Sequence, residues 1–449
     1  MSEVSVPWDN DKLQIDLPKH WHLAQTAAPR LRTAPEDWRD RLATVLSQPD
    51  TGPPLYRLLA QCKNGRVVIV VEDLTRTSPL PEILEVVMRE IRHAQVPDDQ
   101  VEIVFATGMH PPLTPAEAEE KLGHAARGIA RRSNPWHEDD RYVSAGQAGK
   151  VNIRVDEGVA SADLRILISS VSPHLQAGFG GGYKMLLPGC AALDTIRGLH
   201  RQGVGRRLRQ LVGLSAEDNP MRSAIDAGGA MIDETQGRSF ALQYLLDEND
   251  LPSCVAAGEV IPTQRMLAKQ CAVDCGVLVQ PRADVLVVNA YPRDFDLWQS
   301  FKCIANTLWA LRPGGVMIVT TPCRAGLHGM EVPNWPVSPV WTRRAVRLLG
   351  ADALGSLLMR LAPKLAGDAA FFIRLALRTL HRNPIIMVSP KLAHQHVRFP
   401  GIELFEDIDK AVDRADEILD RRPQQVVVFP AGGVTYPVPV PPAARTIGP

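Results

Sequence analysis

Short apolar runs of strand length, each followed by a polar turn and then a helical pattern, constrain this chain more than any other feature. RVVIVVED, residues 66–73, has the length and β-branched content of a strand buried on both faces, and it lies between Asn64-Gly65 and the turn-like LTRTSP. Ser78 has the chemistry of an N-cap and Pro79 suits the first helical position, so a helix over EILEVVMREI is expected next. The grammar repeats in VEIVFATG (101–108), the loop MHPPL, and Thr114-Pro115-Ala116-Glu117, a capping box with proline at N1. DLRILISSV (163–171) is a third strand, leading into Ser172-Pro173-His174 and a glycine cluster. A second series starts after residue 270 with ADVLVVNAYP, a helix across FDLWQSFKCIANTLWAL, and RPGGVMIVTTP, where Gly-Gly is read as ending the helix before a strand. PIIMVSP and QQVVVFPAG read as further strands, 340–382 as helix-rich, and VPVPPAARTIGP as a loose tail. Alternation of this kind requires mostly parallel sheets with helices on both faces, an α/β fold.

Composition narrows the partners. Fifty Lys plus Arg balance fifty Asp plus Glu in 449 residues, so no net field draws nucleic acid or an anionic membrane, and any anion site must be local. The N-terminus lacks an apolar signal segment, and the most apolar stretch, 348–380, is broken by Asp352, Arg360, Lys364 and Asp368; the chain reads as cytoplasmic, with no membrane partner. Seven cysteines without a disulfide spacing fit a reducing compartment, and Cys271 and Cys275 read as two packed thiols.

Ligands of open α/β sheets bind beyond the carboxyl ends of the strands, so the residues there are the candidates for chemistry. Asp73 and Arg76 follow the first strand, His110 the second and His174 the third, and the run HLQAGFGGGYK (174–184) ends in Lys184. It fits neither standard phosphate motif: Met185 stands where a P-loop needs Ser or Thr, and the third glycine of G-x-G-x-x-G is missing. A guanidinium can grip a carboxylate in bidentate fashion, and two histidines can exchange protons near neutrality. Against this, each histidine alone reads as a structural loop residue, Arg76 as a solvated charge, and Gln299 and Lys302 as a solvated helix face beside a buried stripe of Phe301, Ala305 and Leu308. His394 and His396 read as a surface strand. His110, His174 and His200 together could ligate zinc or iron in a hydrolase or lyase, and a non-catalytic carrier or sensor is a further alternative.

VEDLTRTSP, ATGMHPPLT, SPHLQAGFGGGYKMLLPG with the later Leu199-His200, and WQSFK together resemble the nickel-dependent lactate racemase family, whose members use a nickel-pincer nucleotide. Order and spacing hold from VPWDNDKLQIDLP to VVVFPAGG. The resemblance implies two Rossmann-like α/β domains, 1–270 and 271–449, with the active site in the cleft between them. The first would carry the cofactor attachment, nickel ligand and catalytic histidines, and the second would complete the substrate site. It also implies a racemase or epimerase of 2-hydroxy acids, working by hydride transfer through a 2-keto acid, and cofactor-maturation proteins as partners. The cofactor is a pyridinium-3,5-bisthiocarboxylic acid mononucleotide nickel complex.

Matched motif to motif, Lys184 is the residue to which that nucleotide can be joined as a thioamide, and His200 is the nickel ligand. His110 and His174 are the paired acid/base residues. Arg76, Trp298, Gln299 and Lys302 bind substrate, and Asp73, Thr75, Gly180, Gly181 and Gly182 lie along the cofactor. The glycines are read as letting a flat ring rest on the backbone. Departures from the family pattern fall at Gly180, where serine is frequent, at Tyr183, at Trp298 in place of tyrosine, and after His110, where an arginine is often found. They leave the side chain of the hydroxy acid open.

Overall fold

The computed structural model describes residues 2–438 apart from 63–64, 204–208, 328–337, 362–369 and 400. The proline-rich tail beyond residue 438 and the Asn64 end of the first turn lie outside the described residues.

Two six-stranded sheets organise the chain. The first runs, in spatial order, Pro252–Gly258, Arg238–Leu246, Leu164–Ser170, Val67–Val71, Val101–Phe105, Ala130–Ser133. All its pairings are parallel except that of the edge strand Pro252–Gly258. Val67–Val71 is central and buried throughout, as an apolar run without alternation requires. Its side chains nevertheless divide by the two-residue period of a strand. Val67, Ile69 and Val71 pack with Leu42, Leu46, Ile83, Leu84 and Val87 on one face, whereas Val68 and Val70 pack with Leu186, Leu187, Leu199 and Ile225 on the other. The capping box forms as expected: the Thr114 hydroxyl accepts from the Glu117 amide, and the Glu117 carboxylate accepts from the Thr114 amide.

The second sheet runs Ile402–Phe405, Ile385–Val388, Leu311–Thr320, Ala283–Asn289, Gln424–Phe429, Trp21–Thr26, parallel throughout. Leu286 and Val288 pack against Leu297, Cys303 and Ile304 of the helix Leu297–Thr307. Val285 and Val287 face Ala411, Val412 and Ala415 of Ile408–Ile418, together with Val4, Val6, Ile15 and Leu17 of an N-terminal hairpin. Strand Trp21–Thr26 thus crosses from the start of the chain to the far sheet, and a division at residue 270 does not follow sheet membership at that point. The hairpin and this crossing strand carry no signal that separates them from a loop-rich leader, and they are stabilised by contacts made more than 250 residues away.

Local expectations are corrected in four places. Ser78 does not cap the helix that follows the first of these strands, Leu80–His93; its hydroxyl donates to the buried Glu72 carboxylate at 2.7 Å. Gly314 and Gly315 lie inside the strand Leu311–Thr320, beside a register irregularity, rather than ending a helix. His394 ends a short helix, Pro390–His394, and His396 sits in a turn with φ 52°, so no strand carries this pair. The buried positions of Leu297–Thr307 are Leu297, Gln299, Ser300, Cys303, Ile304, Asn306 and Thr307; of the expected stripe Leu308 is buried and Phe301 packs against the core, whereas Ala305 is only half-buried. The two thiols of Cys271 and Cys275 are buried and free, as read.

Arg165 is fully enclosed in the first sheet. Its guanidinium donates to the carbonyls of Val159, Ala160, Ala162 and Gln236, to Ser239, and to Asp233 at 3.1 Å. Removing it takes the cationic partner from Asp233, which keeps only the Tyr183 and Ser239 donors, and a guanidinium donor from four carbonyls, and such a broken buried pair costs more than lost packing. Arg165→Met is expected to lose roughly 3–5 kcal/mol of stability in urea unfolding, whereas an unchanged midpoint would mean that these acceptors find other donors.

Candidate functional site

The residues singled out by their position after strands do collect at one end of the first sheet, where the second sheet faces them. Asp73, Thr75 and Arg76 occupy the turn after Val67–Val71, and His110 lies beyond Val101–Phe105. The Asp73 carboxylate organises this corner. Oδ2 accepts from His110 Nδ1 at 2.5 Å, and Oδ1 accepts from the amide and hydroxyl of Thr75 at 3.1 and 2.6 Å. Burial alone raises a carboxyl pKa, but the His110 hydrogen bond and charge and the nearby Arg76 outweigh it and hold Asp73 well below the usual carboxylate range. With Nδ1–H directed at Asp73, the half-exposed His110 keeps the lone pair of Nε2 for a proton from outside.

His174 is arranged in the opposite sense. It sits in a two-stranded ribbon, Pro173–His174 with Gly178–Phe179, and its Nδ1 accepts from the amides of Ala177 at 3.0 Å and Gln176 at 3.3 Å. A ring whose Nδ1 accepts carries its proton on Nε2 when neutral. Neutral is the favoured form, because burial, then Lys184, Lys302, Arg76 and Arg222, push its pKa well below that of a free imidazole.

The glycine run is built for the protein's own packing. Gly181 and Gly182 have φ of 73° and 65°, and a Cβ would lie 2.7 Å from Val171 Cγ2 at the former and 2.9 Å from Gln264 Cγ at the latter. The buried Arg222 donates to the carbonyls of Phe179, Gly180 and Gly181, and Gln264 donates to Gly180 at 3.1 Å. Expecting these glycines only to accommodate a ring therefore missed what holds the loop. Tyr183 turns away from the cleft, with its hydroxyl on Asp233 at 2.6 Å, so it does not line the site as its place beside Lys184 implied. Lys184 follows in a short 3-10 turn, Gly182–Met185. Burial and the charges of Arg76 and Arg222, opposed by Asp73 and Glu72, push its amine down to about 7, so a large share is the unprotonated nucleophile at neutral pH.

The second sheet contributes the helix Leu297–Thr307, whose first turn is capped by Asp296 accepting from the Gln299 amide at 2.7 Å. Lys302 Nζ donates to Gln299 Oε1. This is not a solvated face: Gln299 is buried, and Lys302 is pushed well below a free amine by burial and by Arg76, Arg293 and Lys184. Trp298, adjacent to both, is half-buried. Arg293, which the sequence reading passed over, reaches back to the first sheet and donates to the Thr75 carbonyl. Its only local signal is a place after a strand end, shared with many loop arginines.

His200 lies in the last turn of Leu193–Gln202, and its backbone carbonyl accepts from Gln176 Nε2 at 3.4 Å, which ties that helix to the His174 ribbon. Among the described residues no three His, Cys, Asp or Glu side chains are grouped to hold a metal ion, so His110, His174 and His200 do not form the three-histidine site considered as an alternative. The side chains that a metal-bearing organic ligand would require are present, the His200 imidazole and the half-buried Lys184 amine. Among the described residues, no helix is long and apolar enough to cross a membrane.

Residues 8–210 match the family described as the lactate racemase N-terminal domain. A lactate racemase from Thermoanaerobacterium thermosaccharolyticum is 24% identical over 443 residues, which is 96% of this chain and 98% of that protein. One from Lactiplantibacillus plantarum is 27% identical over 284 residues, 61% of this chain and 63% of that protein. The structure of the lactate racemase apoprotein from T. thermosaccharolyticum is similar in fold, with a TM-score of 0.80 at 20% identity over 97% of this chain and all of that one. A Thermotoga maritima crystal structure gives 0.60 at 17% identity over 90% and 99%.

The buried Lys184 has a consequence for stability. An unfolded lysine titrates near ~10.4, so between that value and about 7 the unfolded chain binds a proton that the folded chain does not, and stability rises with pH through this window. Lys184→Met is expected to be more stable than the unmodified protein at pH 7 by roughly 2–5 kcal/mol, with the difference shrinking toward pH 10.5. Chemical denaturation at several pH values checks this; a pH-independent difference would contradict it.

Proposed function

This chain carries the N-terminal domain of the lactate racemase family over residues 8–210, and on that premise we propose that it is an isomerase, a racemase or epimerase of 2-hydroxy acids that works with a nickel-pincer nucleotide. The observation that carries the reading is the meeting of the Asp73–His110 pair with His174 and the cations Arg76, Lys184 and Lys302 between the two sheets. Lys184 would hold the nucleotide through its amine and His200 the nickel, with Asp73 and Thr75 orienting the neighbouring side chains. When bound, that group supplies an acceptor for the hydride of the 2-carbon, whose hydrogen is too poor an acid beside a carboxylate to leave readily as a proton.

The protein's own groups do the rest. Arg76 offers a fork to the carboxylate, Gln299 and Lys302 reach it or the hydroxyl from the other sheet, and Trp298 bounds the side chain. His110 takes the hydroxyl proton at Nε2, and the Asp73 carboxylate on Nδ1 stabilises the imidazolium so formed. His174 presents Nε2–H and donates a hydrogen bond to the substrate oxygen. Returning a proton from that side requires its imidazolium, which the cationic surroundings oppose. Attachment of the nucleotide to Lys184 would remove one of these charges and a substrate carboxylate would offset others, easing the pressure on His174 to stay neutral.

Replacing either His110 or His174 with Asn is expected to slow both directions by on the order of 10²- to 10⁴-fold; loss in one variant only would make the other histidine structural. Racemisation in D₂O by nickel-loaded protein is expected to retain protium at the 2-carbon, and substrate deuterated there should carry its label into the opposite enantiomer. Solvent deuterium at that carbon would replace hydride transfer with proton abstraction, and absence of turnover on every 2-hydroxy acid would leave a binding protein.

A further inference from the structure

Arg293 has no part in the reading above, yet it is placed with care. Its Nη1 donates to the Thr75 carbonyl at 3.4 Å, and the Nη1 of Arg76 donates to the same oxygen at 3.3 Å. One guanidinium comes from each sheet, and the acceptor they share carries no negative charge. Among the described residues neither arginine forms an ion pair. The acids around them are committed elsewhere: Asp73 to His110 and Thr75, Glu72 to Ser78, Ser170 and Tyr244, and Asp250 to Thr77. The stem of Arg293 is held by the loop after Gln424–Phe429, where a Cβ on Gly433 would lie 2.9 Å from its Cγ.

Two half-buried guanidiniums that meet at a neutral carbonyl, with the nearby Asp250, Glu72 and Asp73 acting on Arg293 without direct pairing, favour anionic ligand groups. Lys302 adds a third basic group to the same cleft. A monocarboxylate would neutralise one of the three. A dianion would satisfy both guanidiniums, and Lys302, whose amine gives up its proton easily in this setting, then needs no counter-charge. Two planar forks, one from each sheet and meeting at one carbonyl, match the two carboxylates of one short molecule.

We propose that Arg293 recognises a second carboxylate on the substrate, so that this site takes 2-hydroxy dicarboxylic acids in preference to 2-hydroxy monocarboxylic acids. The proposal rests on the assignment of Arg76 to the carboxylate beside the hydroxyl. Arg293 is then the specificity-determining residue at the far end of the substrate, supplied by the second sheet, and Trp298 closes the side-chain space between.

The test uses malate and lactate, both enantiomers of each, with the full chain and its Arg293→Leu, Arg293→Gln and Arg293→Lys variants. Calorimetric binding to cofactor-free protein and racemisation by nickel-loaded protein are both measured. Malate is expected to be favoured in both. Arg293→Leu should lose on the order of 10²- to 10³-fold on malate, as for truncation of one partner of a buried charge pair, and less than about threefold on lactate, with Arg293→Lys between. Equal losses on both substrates, or an unmutated protein that prefers lactate, would overturn the proposal. So would loss of bound nucleotide and nickel from Arg293→Leu before substrate is added, which would assign Arg293 to the cofactor phosphate. If Arg293→Leu does not fold, the substrate preference of the unmutated protein and the Gln and Lys variants decide. The two readings fail separately: Arg293-dependent malate binding without turnover of any hydroxy acid removes the racemase and keeps this inference, while turnover of lactate with indifference to malate does the reverse.

Discussion

The Asp73 carboxylate is the contact through which the rest of the site is assembled. It leaves the end of a fully buried central strand and accepts three hydrogen bonds, from His110 and twice from Thr75. The first fixes the ring of a histidine brought by the neighbouring strand. The other two fix the turn so that the Thr75 carbonyl faces the second sheet, where Arg76 and Arg293 both reach it. A charged acceptor at a strand end, in a medium of low dielectric, is costly unless every lone pair is used, and here the donors that satisfy it are the groups the chemistry needs.

Positive charge is the second constraint. Arg76, Lys184, Arg222, Arg293 and Lys302 lie near one another, and among the described residues only Arg222 of these pairs with a carboxylate, Asp226 at 3.6 Å, while binding three loop carbonyls. Burial and the neighbouring cations hold Lys184, Lys302 and His174 below their usual values. Such crowding opposes folding at neutral pH, and the two six-stranded sheets with cores on both faces supply the burial that tolerates it. The same crowding lowers the Lys184 amine and gives the cleft a positive field of the kind that attracts anions.

Much of this was legible beforehand because parallel strands buried on both faces leave unbroken apolar runs. RVVIVVED, VEIVFATG and ADVLVVNAYP each became the strand expected, and the capping box at Thr114 and Glu117 formed. The ends of those runs marked Asp73, Arg76, His110 and His174 as neighbours, since the topology of a parallel sheet places its carboxyl ends together. The failures share a cause. Ser78 was read as a cap because its competitor for the hydroxyl, Glu72, is six residues away and becomes its partner only when the turn folds back. Gln299 and Lys302 were readable as a solvated face because nothing local records that another sheet covers them.

Sequence alone determined most of the element types and the parallel architecture and named the candidate side chains, because periodicity, caps and residue chemistry are properties of short windows. Tertiary structure decided which of those side chains are charged, oriented and in contact. The tautomer of His174 depends on two amides that its ribbon presents to Nδ1, and the depressed lysines depend on burial by both sheets. The N-terminal strand Trp21–Thr26 finds its partner at Gln424–Phe429, and Arg293 finds Arg76 at a single carbonyl. Each of these joins residues tens to hundreds of positions apart, or fixes a group through backbone geometry, and interactions of that kind leave no pattern in a local stretch of sequence.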